Sequence, residues 1–211
     1  MNSNGIINLS FEIIKHKVKY VVHLSAGCVT GTVRGAPADE TYKCSPVTPY
    51  EKTKLEGEIN ALNLYKNKQV PIVVVRPTFI CGPQDPHKLP LFRAVKKRHF
   101  VFIGSGTSVN HPVYIDDLVN GIMLLLKKRI VGTIFILGGP KLVTKKEMIQ
   151  TIALELGVSD KFIHFPVWFA RFSSFFLVLL SNLFGLEPIL TPSRVSMMAD
   201  NWGYSIQKAK K

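Results

Sequence analysis

The 211-residue chain has only three cysteines, Cys28, Cys44 and Cys81. An odd number at wide spacing makes neither a disulfide framework nor a C-x-x-C metal clamp, so no metal site is expected and a reducing, cytoplasmic setting fits. Acids are scarce: 14 Asp and Glu stand against 27 Lys and Arg, a net charge of +13. The basic residues are scattered, with no run longer than three, as at Lys127–Arg129. With no zinc-finger spacing and no aromatic-and-basic stripe, nucleic acid is not an expected partner. Long apolar runs are missing as well. The nearest, Phe169–Gly185, is broken by Arg171, three serines and Asn182. It falls short of the ~20 mainly apolar residues of a membrane span. The first twenty residues carry no basic n-region, unbroken apolar stretch or small-residue cleavage site, so no signal peptide is read there. No internal repeat occurs. No G-x-G-x-x-G follows a strand and opens a helix; "IGSGTS", Ile103–Ser108, is a two-glycine turn and a poor phosphate loop.

What remains is a foldable chain, 46% hydrophobic and 19% charged, of one domain or slightly more at roughly 150 residues each. Its opening, "GIINLSFEIIKHKV", has helical spacing. Strands are expected near Val18–Ser25, Ile72–Arg76 and Thr133–Leu137. "PIVVVRP" is apolar almost throughout, as a parallel strand covered on both faces requires. A helix follows Thr48, which can cap it, with Pro49 in the first position and Glu51 closing a T-x-x-E box. Thr144 and Glu147 repeat the box before a second helix that Gly157 closes. Further helices are expected at "LFRAVKKRH", after Asp116 or Asp117 as a cap, and twice beyond Pro166; further strands at "FVFIG" and "PVYI". Alternating strands and helices give an α/β class with a mostly parallel sheet, and a mainly helical last third.

The chemistry gathers at three residues. Tyr50 and Lys54 stand four apart on one helix, so both point to the same face. An ammonium near a phenol favours the phenolate, and a tyrosine so placed passes protons to or from a substrate oxygen. Ser25 ends the first expected strand, and in open α/β sheets chemistry sits at the carboxyl ends of strands. A lone Y-x-x-x-K is common on solvated helix faces. Here it stands in ordered company: "NSNGIINL", "VVHLSAGCVTG", "TPYEKTKLEGE", "VVVRPTFICGP", "HPVYIDDLVNGIMLL", "GTIFILGGPKLVT" and "LTPSRVSMMADNWGYSIQKAKK".

That ordered set resembles the extended short-chain dehydrogenase/reductase superfamily over nearly the whole chain. It is most similar to NAD(P)-dependent epimerase/dehydratase members, including those like dihydroflavonol reductases and 3β-hydroxysteroid dehydrogenases. The resemblance implies Tyr50 as catalytic acid/base and Lys54 as its partner, which also hydrogen-bonds the nicotinamide ribose. It implies Ser25 as the catalytic serine in the reductase-like register. Sugar epimerases and dehydratases place their Ser or Thr one residue later, at Ala26 here. Pro77, Thr78 and Phe79 match the loop whose backbone approaches the nicotinamide, and with Tyr50 and Lys54 they are the implied cofactor-binding residues. Asp116 and Asp117 match a family pair. Ala26 and His111 are substrate-side candidates, with a structural role for His111 equally open. The implied cofactor is NAD or NADP. The implied substrate is a small molecule: a nucleotide sugar, a steroid-like compound or another hydroxy or keto compound.

By the same resemblance, "NSNGIINL" corresponds to a helix midway through the Rossmann part, with about four strands upstream of it in a complete member. The tail stops in "SIQKAKK", short of a family E/D-L-G-Y segment. The expectation is therefore the C-terminal half of a Rossmann-type parallel sheet with a mainly helical substrate-binding portion, truncated at both ends. Residues 1–140 form the partial NAD(P)-binding portion, 77–115 including substrate-loop segments, and residues 141–211 the substrate portion. Two alternatives stay beside the enzyme. One is a non-catalytic remnant that binds a ligand or partner. The other is a membrane-surface protein using Phe169–Gly185 and the positive charge. An unpaired strand edge points to a homodimer, a partner-dependent chain or aggregation.

Overall fold

The computed structural model describes residues 2–185 and 190–211, apart from the side chains of residues 2–4 and 182–184. Asn182 and Leu183, at the end of the apolar stripe, thus lie outside the described side chains. In chain order the elements are α1 (Asn2–Lys15), β1 (Val21–Leu24), α2 (Pro49–Lys68), β2 (Ile72–Pro77), β3 (Phe79–Cys81), α3 (Leu89–Lys96), β4 (Val101–Ile103), β5 (Val109–Asn110), β6 (Pro112–Tyr114), α4 (Ile115–Lys128), β7 (Ile134–Leu137), β8 (Val143–Thr144), α5 (Lys145–Glu155), β9 (Ile163–Phe165), α6 (Val167–Phe184) and α7 (Pro192–Ala199). They form two compact units.

The first unit comprises residues 1–82, 111–142 and 203–211. Its centre is a parallel sheet in the order β1-β2-β7. Every residue of β2 is buried, and period-two alternation divides them between two layers. Ile72 and Val74 face Ile6 of α1 and Ala61 and Leu64 of α2. Val73 and Val75 face Leu118 and Leu125 of α4, with Phe135 and Val113. The near-continuous apolar run is thereby explained: the strand is covered twice. β3 and β6 form a short parallel pair in the same unit.

Helix α2 starts where the sequence says it should. Thr48 accepts from the Glu51 amide, Glu51 accepts from the Thr48 amide, and Pro49 opens the helix. A reciprocal box of this kind satisfies two otherwise orphaned donors. It also fixes the helix start one residue before Tyr50. Helix α4 departs from expectation. It begins at Ile115 with Tyr114 at the cap position and no capping side-chain bond, so neither Asp116 nor Asp117 caps it. Both lie in its first turn, where the positive end of the helix dipole favours acids.

The outer edge of β7 is tied down. The Ile136 amide donates to Glu40 Oε1 at 2.9 Å, and Lys208 Nζ donates to the Ile134 carbonyl at 2.7 Å. β1 has no ladder partner on its outer side among the described residues, and Leu24 is exposed there.

The second unit comprises residues 83–110 and 143–202. Residues 83–110 thus cluster with the mainly helical portion. The strand β4 pairs in parallel with β9, and β5 pairs antiparallel with β8. Val95, Phe102, Ile149 and Ala153 form one core cluster, which Phe100 and Phe162 join edge-on. Ile103, Ala170 and Val195 form another. Thr144 and Glu147 make the second capping box, at the start of α5.

Candidate active site

The carboxyl ends of β1 and β2 lie side by side, Leu24 opposite Val75. Ser25 follows β1 directly, its amide donating to the Val75 carbonyl at 2.8 Å. The residue is 4% exposed, and its hydroxyl has no hydrogen-bond partner among the described residues. Thr78 follows β2 in the same way. Its amide donates to the Leu137 carbonyl at 3.0 Å, and its buried Oγ1 also has no partner among the described residues. Two neighbouring strands therefore end in buried, unsatisfied hydroxyls.

Lys54 is brought to the same place. Its Nζ donates to the Leu24 carbonyl at 3.1 Å, locking α2 to the end of β1. The ammonium lies 5.9 Å from the centroid of the Tyr50 ring. This is within cation–π range. Tyr50 is 53% exposed, so its phenol is open to an incoming molecule. Partial burial holds that phenol above its ordinary value of 10, and Cys28 adds in the same direction. The depression expected from Lys54 is not seen: both causes of the shift raise it. Cys28, in the tight turn Gly27–Thr30 after Ser25, is itself pushed up to about 11 by burial and by the Glu51 carboxylate. A thiol held that high is not a nucleophile near neutrality.

Ala26 is half-buried in extended backbone just before that turn. The turn needs Gly27, because a Cβ there would sit 3.1 Å from the Tyr204 ring and 3.2 Å from the Pro77 carbonyl. His111 is 2% exposed and hydrogen-bonded from Nε2 to the Gly139 carbonyl at 2.7 Å. Its ring stacks on Tyr204 at 6.3 Å. Burial lowers its pKa, against the raising effect of its backbone hydrogen bonds. It thus sits within the packing behind the strand ends. Phe79, half-buried, donates its amide to the His111 carbonyl at 3.0 Å.

Three features were not singled out from the sequence. Arg76 and Glu58, each almost wholly buried, form a bidentate ion pair with bonds of 2.9 and 2.5 Å. Arg76 Nη2 also donates to Cys44 Sγ at 3.3 Å. An arginine inside "IVVVRP" signals that a buried acid must meet it, and Glu58 stands one turn beyond Lys54 on α2. His23, on β1, has a pKa lowered by burial, with Lys54 lowering it further and Glu58 opposing. Tyr204 fills the space against Gly27, its hydroxyl bonded to Thr30, and burial raises its pKa strongly. No cluster of three or more metal-ligating side chains occurs among the described residues.

Comparison with known proteins is consistent with this geometry. The family model described as "NAD dependent epimerase/dehydratase family" matches residues 1–138. The sterol-4-alpha-carboxylate 3-dehydrogenase (decarboxylating) of Mus musculus is 27% identical over 191 residues, 85% of this chain and 53% of that one. The UDP-glucose 4-epimerase of Vibrio cholerae is 26% identical over 195 residues, 90% of this chain and 57% of that one. The structure of a dTDP-glucose 4,6-dehydratase from Streptomyces venezuelae, with NAD bound, superposes with a TM-score of 0.69 at 26% identity, covering 78% of this chain and 53% of that one. The chain spans about half the length of the curated relatives it matches.

Proposed function

The chain belongs to the NAD dependent epimerase/dehydratase family, and from that premise we propose that it carries the proton-transfer machinery of an NAD(P)-dependent oxidoreductase or epimerase acting at an alcohol or ketone carbon. The observation that carries this reading is the pair of buried, unpartnered hydroxyls at adjacent strand ends, beside a lysine that reaches the same end. Such atoms fit a ligand that supplies their partners. Lys54, Pro77, Thr78 and Phe79 would hold NAD or NADP at the nicotinamide end. A bound nicotinamide supplies or accepts the hydride. Tyr50 Oη takes the hydroxyl proton as the C–H electrons leave the carbinol carbon, and returns it in the reverse direction. Ser25 Oγ donates to the same oxygen and fixes its position. Lys54, 5.9 Å from the ring centroid, would favour the phenolate by charge once bound cofactor and substrate exclude water. Because burial holds the phenol up, the oxidative rate should climb with pH through the alkaline range.

We read the second unit as the substrate-binding portion, with Ala26 and His111 as further substrate-side candidates. The names of the relatives support two substrate classes, a nucleotide sugar and a sterol-like compound. The three free thiols support a reducing, cytoplasmic setting. The open edge of β1 and the outward Ile7, Leu9 and Phe11 of α1 support a homodimer.

The open β1 edge also favours a second reading, a non-catalytic module that binds a partner by strand addition. Calorimetry of the 211-residue chain with NADH and NADPH separates the two. A Kd below about 10 μM supports the cofactor reading; a folded chain that takes up neither supports the module. Where hydride transfer is measurable, Tyr50→Phe should cost about 100- to 10,000-fold in turnover. Unchanged turnover would overturn the assigned role.

A further inference from the structure

We infer that α6 seats this chain on an anionic lipid surface. The helix is turned inside out. Its inward positions are small: Ala170, Ser174 and Ser181 are buried, the two serines donating to the carbonyls of Arg171 and Val178 at 2.8 and 2.9 Å. Its outward positions are large and apolar. Trp168 is 70% exposed, Phe172 64% and Phe175 71%, with Phe176, Leu179 and Leu180 exposed beside them. A helix facing water shows the reverse arrangement. A contiguous face of this kind marks an interaction surface.

Charge selects the occupant. The chain carries +13, and α6 contains no acid. Arg93, Lys96, Lys97 and Arg98, all exposed, lie on and just after α3, the segment that leads into β4. β4 pairs with β9, and β9 feeds α6. The net charge of +13 draws the chain to an anionic bilayer and opposes a second copy on this face, whose own cation, Arg171, is paired with Asp200. No helix among the described residues is long and apolar enough to cross a membrane. The arrangement is that of a helix lying in the interface, with a tryptophan near one end. The start of the same helix also walls a pocket of about 290 Å³ with Val101, Ile103, Phe165, Phe169 and Ser173. Such a recess suits an acyl chain drawn from the layer.

The test is co-sedimentation of the full chain with phosphatidylcholine vesicles, with and without phosphatidylserine. The expected result is binding only where phosphatidylserine is present, weakened by salt over a screening length of about 10 Å at 0.1 M. Phe172→Asp/Phe175→Asp should bind at least about tenfold more weakly, since two large apolar contacts are lost. Both sites are exposed, and circular dichroism checks that the fold survives. A second readout needs no disruptive change. The emission of Trp168 should shift to the blue on vesicles, and Trp168→Phe, which keeps Trp202, should abolish the shift. Absence of binding in the folded wild-type chain would overturn the inference. So would a concentration-dependent dimer, without vesicle binding, that the double variant dissociates; the face would then belong to a second copy.

Discussion

Glu58→Gln tests how the candidate site is held. Glu58 meets Arg76 through two bonds, 2.9 and 2.5 Å, and both side chains are 3% exposed. One residue is on α2 and the other on β2, so the pair fixes the helix carrying Tyr50 and Lys54 against the central strand. Burial alone would depress the guanidinium, yet its bonds and charge contact with Glu58 hold the pKa of Arg76 above its ordinary value. Glutamine removes the charge and turns one of the two acceptor oxygens into a donor, so the cation keeps a single neutral acceptor there, the Cys44 sulfur at 3.3 Å and the charge of Glu40. Stranding a buried charge costs about 3–5 kcal/mol. That is a large share of the ~5–15 kcal/mol that holds a domain together. With a urea slope of about 2 kcal/mol per M, the midpoint should fall by about 2 M. Replacing both partners, as in Glu58→Leu/Arg76→Met, should recover much of the loss, because neither charge then remains uncompensated. Urea titration followed by far-UV circular dichroism measures both. If Glu58→Gln costs under about 1 kcal/mol, or if the double replacement is no better than the single one, the pair does not carry α2 and the reasoning fails.

Two other outcomes follow from the same site and the second unit. Ser25→Ala should leave stability unchanged or raise it by up to about 1 kcal/mol, because it removes a buried hydroxyl without a partner, while lowering turnover; a loss of several kcal/mol in urea would show that the hydroxyl is structural. Lys145, buried with Nζ on Ser108 Oγ at 2.9 Å and on the Asp200 carbonyl, has its pKa lowered from 10.5 to about 8 by burial. Between those values the unfolded chain keeps the proton and the folded chain releases it, so stability rises with pH across the window and the full penalty applies below it. Urea midpoints at pH 8 and 10.5 should therefore show the wild type gaining on the order of 1–3 kcal/mol relative to Lys145→Met, the upper figure being the undiscounted shift, and parallel behaviour would refute the shift.

Much of the fold was legible because its signals are local or periodic. The T-x-x-E boxes at Thr48 and Thr144 announce two helices, and both form with the reciprocal bonds expected. The apolar run of β2 announces a strand covered on two faces. The helix after Asp116 and Asp117 was legible as well, but not its boundary. Ile115 already has helical backbone, so the cap falls on Tyr114 and the aspartates move inside. The ladders β3, β5, β8 and β9 were not read from the sequence. At two or three residues each, they carry too little period to stand out, and their partners are set by the tertiary fold. The Arg76–Glu58 pair lay half in view. The sequence shows that an arginine in an apolar strand needs an acid, but only the packing of α2 on β2 says which one.

The site itself is marked by a property no sequence displays. Tyr50 and Lys54 are legible as a spacing, yet the phenol is half-open to solvent and held above its ordinary pKa, so its titration singles out nothing. The discriminating observation is which buried hydroxyls lack partners. Ser174 and Ser181 are also buried, but each donates to a carbonyl three residues back, and neither costs the fold an unsatisfied group. Ser25 and Thr78 have no such relief among the described residues. A hydroxyl buried without a partner costs about 1–3 kcal/mol, which alanine at Ser25 or valine at Thr78 would avoid while filling nearly the same space. Two such costs fall at the carboxyl ends of adjacent parallel strands, where α/β sheets bind their ligands. One such hydroxyl could be an accident of packing. Two on one line, beside the carbonyl of Leu24 that Lys54 reaches, are what supports the proposal that a ligand completes them.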